Sequence, residues 1–353
     1  MSRSDAAARL DVLVSDSPAP CGVEAFARRL AATAGDRATT RRLGAPAVAD
    51  AGVLVLNLPV VAWKKKLVEP VAASLQARAA GRAVLIVLHE WSDLDWKRRA
   101  TYAPLLPLAS AILFSSPEVA LQFAASPLSR LAPRRRGLVP IPPNVVRPEF
   151  APETELSRRL AVERAHGRLV LGHFGSIYPR KQSRQILDLT AALVQRGEDP
   201  FAVFIGSFVK GQDDVEAAFM AHARALGVAD RILVTGYIAS DADLFAIFAE
   251  VDVFAYLFAE GLTSRRGSVL ACAMAARPVV VNAPDRVDAF DHHQTYRRLL
   301  EEGRLRLVPT RAALDEVATA VIEAAALPRQ SGLLDVEAAW RDALDAVDAI
   351  LGG

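Results

Sequence analysis

Residues 258–281 read FAEGLTSRRGSVLACAMAARPVVV. A polar, glycine-broken loop runs from Glu260 through Thr263, Ser264, Arg265, Arg266 and Gly267 to Ser268. We expect a helix of small residues over 269–275 next, then a buried strand over 278–281. A loop that feeds a helix N-terminus can hold an anion, because outward N–H groups and the helix dipole both favour negative charge. Arg265 and Arg266 add forked donors that fit phosphate oxygens. Ser268 stands where an N-cap is expected. An ordinary strand–loop–helix connection with solvated arginines uses the same residues, so the neighbouring sequence has to decide.

Upstream, apolar runs at 169–174, 201–206, 231–235 and 252–256 are predicted strands, and 305–308 is a last short one. Between and after them, 185–195, 215–226, 241–248, 314–325 and 336–351 have helical spacing. Gly175-Ser176-Ile177-Tyr178-Pro179-Arg180-Lys181 forms the loop after the first strand, and Gly236-Tyr237-Ile238 follows the third. The first half carries the same alternation. Strands are predicted at 10–14, 53–58, 83–88, 111–114 and 137–141, with helices at 23–32 and 63–80. Strands alternating with helices argue for parallel sheets covered on both faces. The fold class is therefore α/β, with two Rossmann-like, doubly wound parallel-sheet domains facing a central cleft. The proline-rich stretch 142–152 is the expected linker.

In open α/β sheets ligands collect outside the carboxyl ends of the strands. His89 lies just past such an end and reads either as a substrate-facing residue or as a structural, hydrogen-bonded one. Gly22, at the entry to a helix, allows close ligand approach or serves a plain tight turn. Trp91 and Asp93 follow His89 as an acceptor pocket or as a half-buried surface loop.

The chain has 353 residues, room for two domains of ordinary size, and hydrophobic content of 52% for their cores. No uninterrupted apolar run reaches the roughly 18 residues of a membrane helix, and the opening MSRSDAAARLDVLV shows no signal-peptide apolar region. Cys21 and Cys272 are far apart and match no metal spacing. Both suit a reduced, cytoplasmic setting. Net charge is only +2, but residues 1–150 carry 20 Lys/Arg against 12 Asp/Glu and the remainder 22 against 28. A basic first half suits an anionic partner such as a phospholipid surface or a pyrophosphate-linked lipid. Its basic clusters, Lys64–Lys66, Lys97–Arg99 and Arg134–Arg136, are each short enough to be a solvated face. They are not interleaved with a stacking aromatic platform, so nucleic acid is not an expected partner.

With these stretches in hand, the sequence resembles the GT-B glycosyltransferases, specifically the retaining group called family 4. HFGSIYPRKQ is similar to that family's glycine-to-lysine loop, and RILVTGYI, DLFAIFAEVDVFAYLFAEG and ARPVVVNAP follow its order of elements. PCGVEAFARRLA, His89 and PIPPN match more loosely. The resemblance implies an acceptor-side domain over 1–148, a nucleotide-sugar domain over 149–330, and a helix over 331–353 crossing back to the first domain. It implies that Lys181, helped by Arg180, holds the donor diphosphate. A fixed cation there would stabilise charge that builds as the glycosidic bond breaks. Gly22 would close over the phosphates, with Gly175 opening the opposite loop. His89 would contact the transferring sugar, Glu260 its hydroxyls, and Tyr237-Ile238 the base. Chemistry in this architecture generally needs no bound metal. Asp93-Leu94-Asp95 has a metal-like spacing but sits in the first half, off the donor site, and we discount it.

Two departures stand out. The family has an arginine after the loop glycine, where this chain has Ser176. Its second, ribose-holding glutamate falls on Ser268 counting from Glu260, or on Ala271 counting back from Pro278. Arg265 or Arg266 could compensate for the missing cation. The expected function is transfer of a sugar from a nucleotide-sugar to an acceptor hydroxyl with retention, in polysaccharide or glycolipid assembly. No cofactor beyond the donor is expected, and no metal. The expected acceptor is a glycan, a lipid-linked chain or another hydroxyl compound. The expected location is cytoplasmic, with peripheral association at the anionic inner membrane face. The competing readings are a non-catalytic GT-B scaffold or glycan-binding subunit, and a nucleotide-sugar epimerase or sugar phosphorylase on the same fold. The paired carboxylates of glycoside hydrolases, a Walker A loop and a GxSxG elbow are not recognisable.

Overall fold

A computed structural model describes residues 8–17, 21–48, 50–64, 66, 68–178, 182–209, 214–327 and 334–352. The chain divides into two compact units. The first holds the described residues up to Asn144, a short segment Asp288–Gln294, and those from Asp335 onward. The second holds Val145–Val287 and the described part of Thr295–Leu334.

The first unit is built on a six-stranded sheet. Its strands are β1 (Leu10–Val14), β2 (Ala38–Arg42), β3 (Val53–Leu58), β4 (Ala83–Leu88), β5 (Ala111–Phe114) and β6 (Arg136–Leu138), in the order β2-β1-β3-β4-β5-β6. Every pairing is parallel. Parallel strands need crossovers, and these are α1 (Gly22–Ala34), α2 (Glu69–Ala79), α3 (Trp96–Tyr102) and α4 (Pro117–Ala124). Side chains of a strand alternate between faces, so two cores form. Val12, Val55, Leu85 and Leu113 pack against Phe26 and Leu30 of α1 and against Trp340 and Val347. Leu13, Leu54, Ile86 and Ile112 pack on the other side against Ala73 and Phe123.

The second unit repeats the plan. Its strands are β7 (Leu169–Phe174), β8 (Pro200–Ile205), β9 (Ile232–Val234), β10 (Val253–Tyr256), β11 (Val279–Asn282) and β12 (Leu305–Val308). Their order is β12-β11-β10-β7-β8-β9, again all parallel. Its helices are α5 (Glu155–Ala165), α6 (Ser183–Gln195), α7 (Val215–Ala225), α8 (Asp241–Glu250), α9 (Gly267–Met274), α10 (Gln294–Glu301) and α11 (Leu314–Ala325). The last helix, α12 (Val336–Gly352), belongs to the first unit and carries Trp340 into its core. The Trp340 ring lies 5.4 Å from that of Phe26, and its N–H donates to the Pro143 carbonyl at 3.3 Å.

Most strands fall where their apolar runs predict. The departures have local causes. β2, ATTRR, was not expected: it is an edge strand with mostly exposed side chains and no apolar alternation. The helix expected over 63–80 is broken, with a short 3-10 turn at Val61–Trp63 and α2 opening only at Glu69, with Pro70 in its first turn. α5 after the linker was also unforeseen. It starts on a capping box in which Thr154 and Ser157 exchange side-chain-to-backbone hydrogen bonds at 3.0 and 2.9 Å.

Each sheet reverses direction of growth once. In the first unit the chain moves from β1 out to β2 and then returns to β3. In the second it moves from β7 to β8 and β9 and then returns to β10. The crevice at the carboxyl ends of such a pair is where a doubly wound sheet offers a ligand site. In the second unit that crevice lies between the loop at Gly175 and the loop at Glu260. Among the described residues no helix is long and apolar enough to cross a membrane.

Candidate functional site

The Glu260 loop is fastened before it reaches its charged residues. Asn282, buried at the end of β11, accepts from the Phe258 N–H at 2.8 Å and donates to the Phe258 carbonyl at 2.6 Å. The Leu262 N–H then donates to the Asn282 carbonyl at 3.0 Å. Gly261 has φ +72°, and a Cβ there would collide with the Ala283 carbonyl, so only glycine fits. These constraints set Glu260 at the carboxyl end of β10 with 42% of its side chain exposed.

Both arginines turn toward that carboxylate. Arg266 donates from Nη2 to Glu260 Oε1, and Arg265 Nη2 lies 3.8 Å from the same oxygen. The Arg266 guanidinium also sits 4.4 Å from the centre of the Phe258 ring, a cation–π arrangement. Its own carbonyl accepts from the Tyr296 hydroxyl at 2.9 Å. Burial pushes the Tyr296 phenol well up, which keeps that hydroxyl a donor. Each arginine is engaged with Glu260, and the three side chains make one charged group. Thr263, one turn earlier, is 2% exposed, and its Oγ1 has no hydrogen-bond partner among the described residues. A buried hydroxyl without a partner is costly, so it marks a place for a water or a ligand oxygen.

Helix α9 begins two residues earlier than expected. Arg266 occupies the N-cap position without a side-chain cap, and Ser268 falls inside the first turn. The expectation that Ser268 caps the helix is thus corrected. Ala271, the other place for a second glutamate, is 1% exposed inside the α9 core, where apolar packing excludes a carboxylate.

Across the crevice, the Gly175 N–H donates to the Ile205 carbonyl at 2.9 Å. Gly206, after β8, would carry any Cβ into the Gly175 carbonyl. The two loops therefore touch backbone to backbone, and Ser176 is left exposed at the strand end. Beneath them Tyr256 is fully buried. Its hydroxyl donates to the Phe174 carbonyl at 2.9 Å and lies 3.2 Å from Cys272 Sγ, tying β7, β10 and α9 together. Arg180 and Lys181 lie outside the described residues. Tyr237 is 79% exposed and Ile238 half-buried after β9. Three strand spacings separate β9 from β10, about 14 Å.

In the first unit several strand-end polar groups bond to one another, while Asn57 Nδ2, at the end of β3, has no hydrogen-bond partner among the described residues. His89 is 7% exposed, with its ring edge-on to Phe26 at 5.0 Å and Nε2 3.2 Å from the Asn57 side-chain oxygen. Its carbonyl accepts from the Ser115 hydroxyl at 3.0 Å. The Asn57 contact fixes the orientation of the His89 ring at the strand end. Gly22 opens α1, and among the described residues a Cβ there would meet only Asn144, at 3.9 Å.

Trp91 corrects the acceptor-pocket expectation. It is buried in the core, edge-on to Phe123 at 4.8 Å, while Asp93 is exposed. Asp95 caps α3 by accepting from the Arg98 N–H at 2.8 Å. The alternation apolar-in, acidic-out is that of a surface loop.

Sequence reading missed the polar cluster at the end of β1. Glu24, 1% exposed, accepts from the Ser15 N–H at 2.9 Å, from the Ser15 hydroxyl and from Arg28 at 2.7 Å. The available signal was a glutamate sharing the helical face of Ala27 and Ala31. Tyr256 and Asn282 were missed because each reads as an ordinary strand residue. Among the described residues no group of three His, Cys, Asp or Glu side chains is placed to hold a metal ion.

No protein-family model and no curated protein matches the chain. Solved structures do. The Anabaena protein Alr3699/HepE, in complex with UDP and glucose, superposes with a TM-score of 0.62 at 17% identity, over 98% of this chain and 95% of that one. WaaG, a glycosyltransferase involved in lipopolysaccharide biosynthesis, superposes at 0.57 with 14% identity, over 98% and 100%. A glycosyltransferase from Rickettsia africae gives 0.56 at 9%, over 98% and 96%. At these identities the likeness is one of fold: the chain has the two-sheet parallel α/β fold of the GT-B glycosyltransferases.

Proposed function

We propose that the chain is a glycosyltransferase that moves a sugar from a nucleotide-sugar donor to an acceptor hydroxyl. The observation that carries this reading is the Glu260–Arg265–Arg266 group at the reversal point of the second sheet, beside the partnerless Thr263 hydroxyl. Glu260 keeps oxygen lone pairs beyond the one Arg266 uses, and a carboxylate of this kind orients sugar hydroxyls. The arginines and the start of α9 favour the donor phosphates. Lys181 and Arg180 contribute the cation that stabilises the departing phosphate, and Gly175 and Ser176 border it. Tyr237 and Ile238 take the base end, since the 14 Å or so from β9 to β10 is of the order of a nucleoside diphosphate's length. Gly22 and His89 are the first unit's contribution, at its own strand ends. Structural neighbours with UDP or UDP-glucose bound make a uridine donor the first to test.

The finer reading is retention at the transferred carbon, no bound metal, and an acceptor in polysaccharide or glycolipid assembly. The surplus of eight positive charges in residues 1–150 supports a peripheral position on an anionic cytoplasmic membrane face. A non-catalytic relative is the second reading, favoured by Ser268 and Ala271 in place of a ribose-holding glutamate.

A thermal-shift and calorimetry panel of UDP, GDP, ADP, CMP and TDP tests the donor. Selective binding of one nucleotide, lost in Lys181→Ala, is the expected result. A flat response across the panel would overturn the transferase reading in favour of the scaffold.

A further inference from the structure

Beside the Glu260 loop, the second unit holds an open cleft of about 430 Å³, within the roughly 300–1,000 Å³ usual for small-ligand sites. It lies at the carboxyl ends of β10, β11 and β12, the end at which open α/β sheets take ligands. Helix α6 contributes Gln185 and Asp188 to its lining, the β12–α11 connection contributes Thr310 and Arg311, and the strand ends contribute Phe258 and Asn282. The Gln185 carboxamide both donates and accepts, and the Arg311 guanidinium donates. Asp188 accepts from His222 Nε2 at 2.7 Å and keeps further lone pairs. The Thr310 hydroxyl donates to the Ala283 carbonyl at 2.9 Å, so its oxygen can still accept.

This lining narrows the class of ligand. It holds one guanidinium and one carboxylate, so it carries no surplus charge for an anion. Its one aromatic residue, Phe258, is 3% exposed and already has the Arg266 guanidinium 4.4 Å from its ring centre, so a nucleobase has no ring to stack on. Hydroxyl groups, which donate and accept alike, match such a mixed and neutral set. We propose that the cleft is a carbohydrate subsite that takes one hexose-sized unit of a neutral glycan. That this glycan is the acceptor or product of transfer rests on the transferase reading, whereas the match to hydroxyls does not. Asn282 joins the cleft to the transfer site. Its Nδ2 donates to the Thr310 carbonyl at 3.3 Å and to the carbonyl of Phe258, two residues before Glu260, at 2.6 Å. A sugar held against Thr310 and Asn282 therefore bears on the loop that carries Glu260.

Saturation-transfer difference NMR on the full protein tests this with the methyl glycosides of glucose, galactose, mannose and N-acetylglucosamine, each titrated to high millimolar concentration. The expected result is saturable binding of at least one glycoside, weakened about tenfold in Q185A/R311A and kept in Glu260→Ala. Gln185 is half-buried and Arg311 exposed. Arg311→Ala alone, at the exposed position, repeats the comparison should the double variant fail to fold. No saturable binding of any glycoside, equal binding in Q185A/R311A, or loss of binding in Glu260→Ala overturns the proposal. Calorimetry of UDP on the same proteins keeps the two readings apart. Glycoside binding with this pattern but without nucleotide binding would support the cleft and overturn the transferase reading.

Discussion

The two sheets share a plan, yet their strand ends treat a carboxylate in opposite ways. At the end of β1, Glu24 is buried and satisfied by Ser15 and Arg28. At the end of β4, His89 is buried against Phe26 and held at Asn57, whose Nδ2 has no hydrogen-bond partner among the described residues. At the end of β10, Glu260 remains 42% exposed beside two arginines, and Thr263 buries a hydroxyl with no partner. A group whose bonds are complete within the protein supports the fold. A group placed with valence to spare is available to a ligand. The difference lies in side chains, since each sheet reverses its growth once beside its first strand.

The contrast predicts opposite consequences for matched substitutions. Glu260→Ala should lower sugar transfer about 100-fold, or about 2.7 kcal/mol of barrier, with little change in the urea midpoint. An equal loss of stability would place Glu260 with Glu24 as a structural residue. Glu24→Ala should destabilise the protein by about 2 kcal/mol, because it strands Ser15 and Arg28. Part of the Arg28 charge reaches solvent, which holds the cost below that of a fully buried pair. Urea unfolding measures it.

A third test separates the units by pH. The first unit's segment Asp288–Gln294 carries two histidines, and burial lowers His292 to about 4 and His293 to about 3. The neutral form is favoured on folding. This stability is therefore complete above the ordinary histidine value near 6.5 and is lost as pH falls toward 4 and 3. The slope should reach about 1.4 kcal/mol per pH unit for each histidine. A urea midpoint that is flat from pH 7 to pH 5, or that does not flatten in His293→Gln, would count against it. The smallest effect on stability belongs to Thr263→Val. Removing a partnerless hydroxyl should change stability by no more than about 0.5 kcal/mol while weakening donor binding. A loss of 2 kcal/mol or more would mean that the hydroxyl already has a structural role.

Much of the fold could be read from the chain. Runs such as AVLIVL and LVLGHF are buried on both faces, and their boundaries coincide with β4 and β7. β2 could not be read, because an exposed edge strand needs no apolar alternation. The segment Asp288–Gln294 could not either, since its burial in the first unit depends on contacts far away in sequence, such as His293 donating to the Ile141 carbonyl at 3.2 Å. At the site, the loop from Glu260 to Ser268 was legible from residue types. The mutual engagement of Glu260 with Arg265 and Arg266 was not, because it depends on how Asn282 and Gly261 fold the loop back. Trp91 misled because an aromatic beside two aspartates looks the same whether it faces a ligand or the core. The cap expected at Ser268 lies two residues earlier, at Arg266, which is within the usual fraying of helix ends.

The most direct test of the central claim is amide hydrogen exchange with and without UDP. If the Glu260 loop is the donor-phosphate site, saturating UDP should slow exchange in peptides covering 258–270 and 175–178. Unchanged exchange in both, under conditions where calorimetry shows UDP bound, would contradict the assignment.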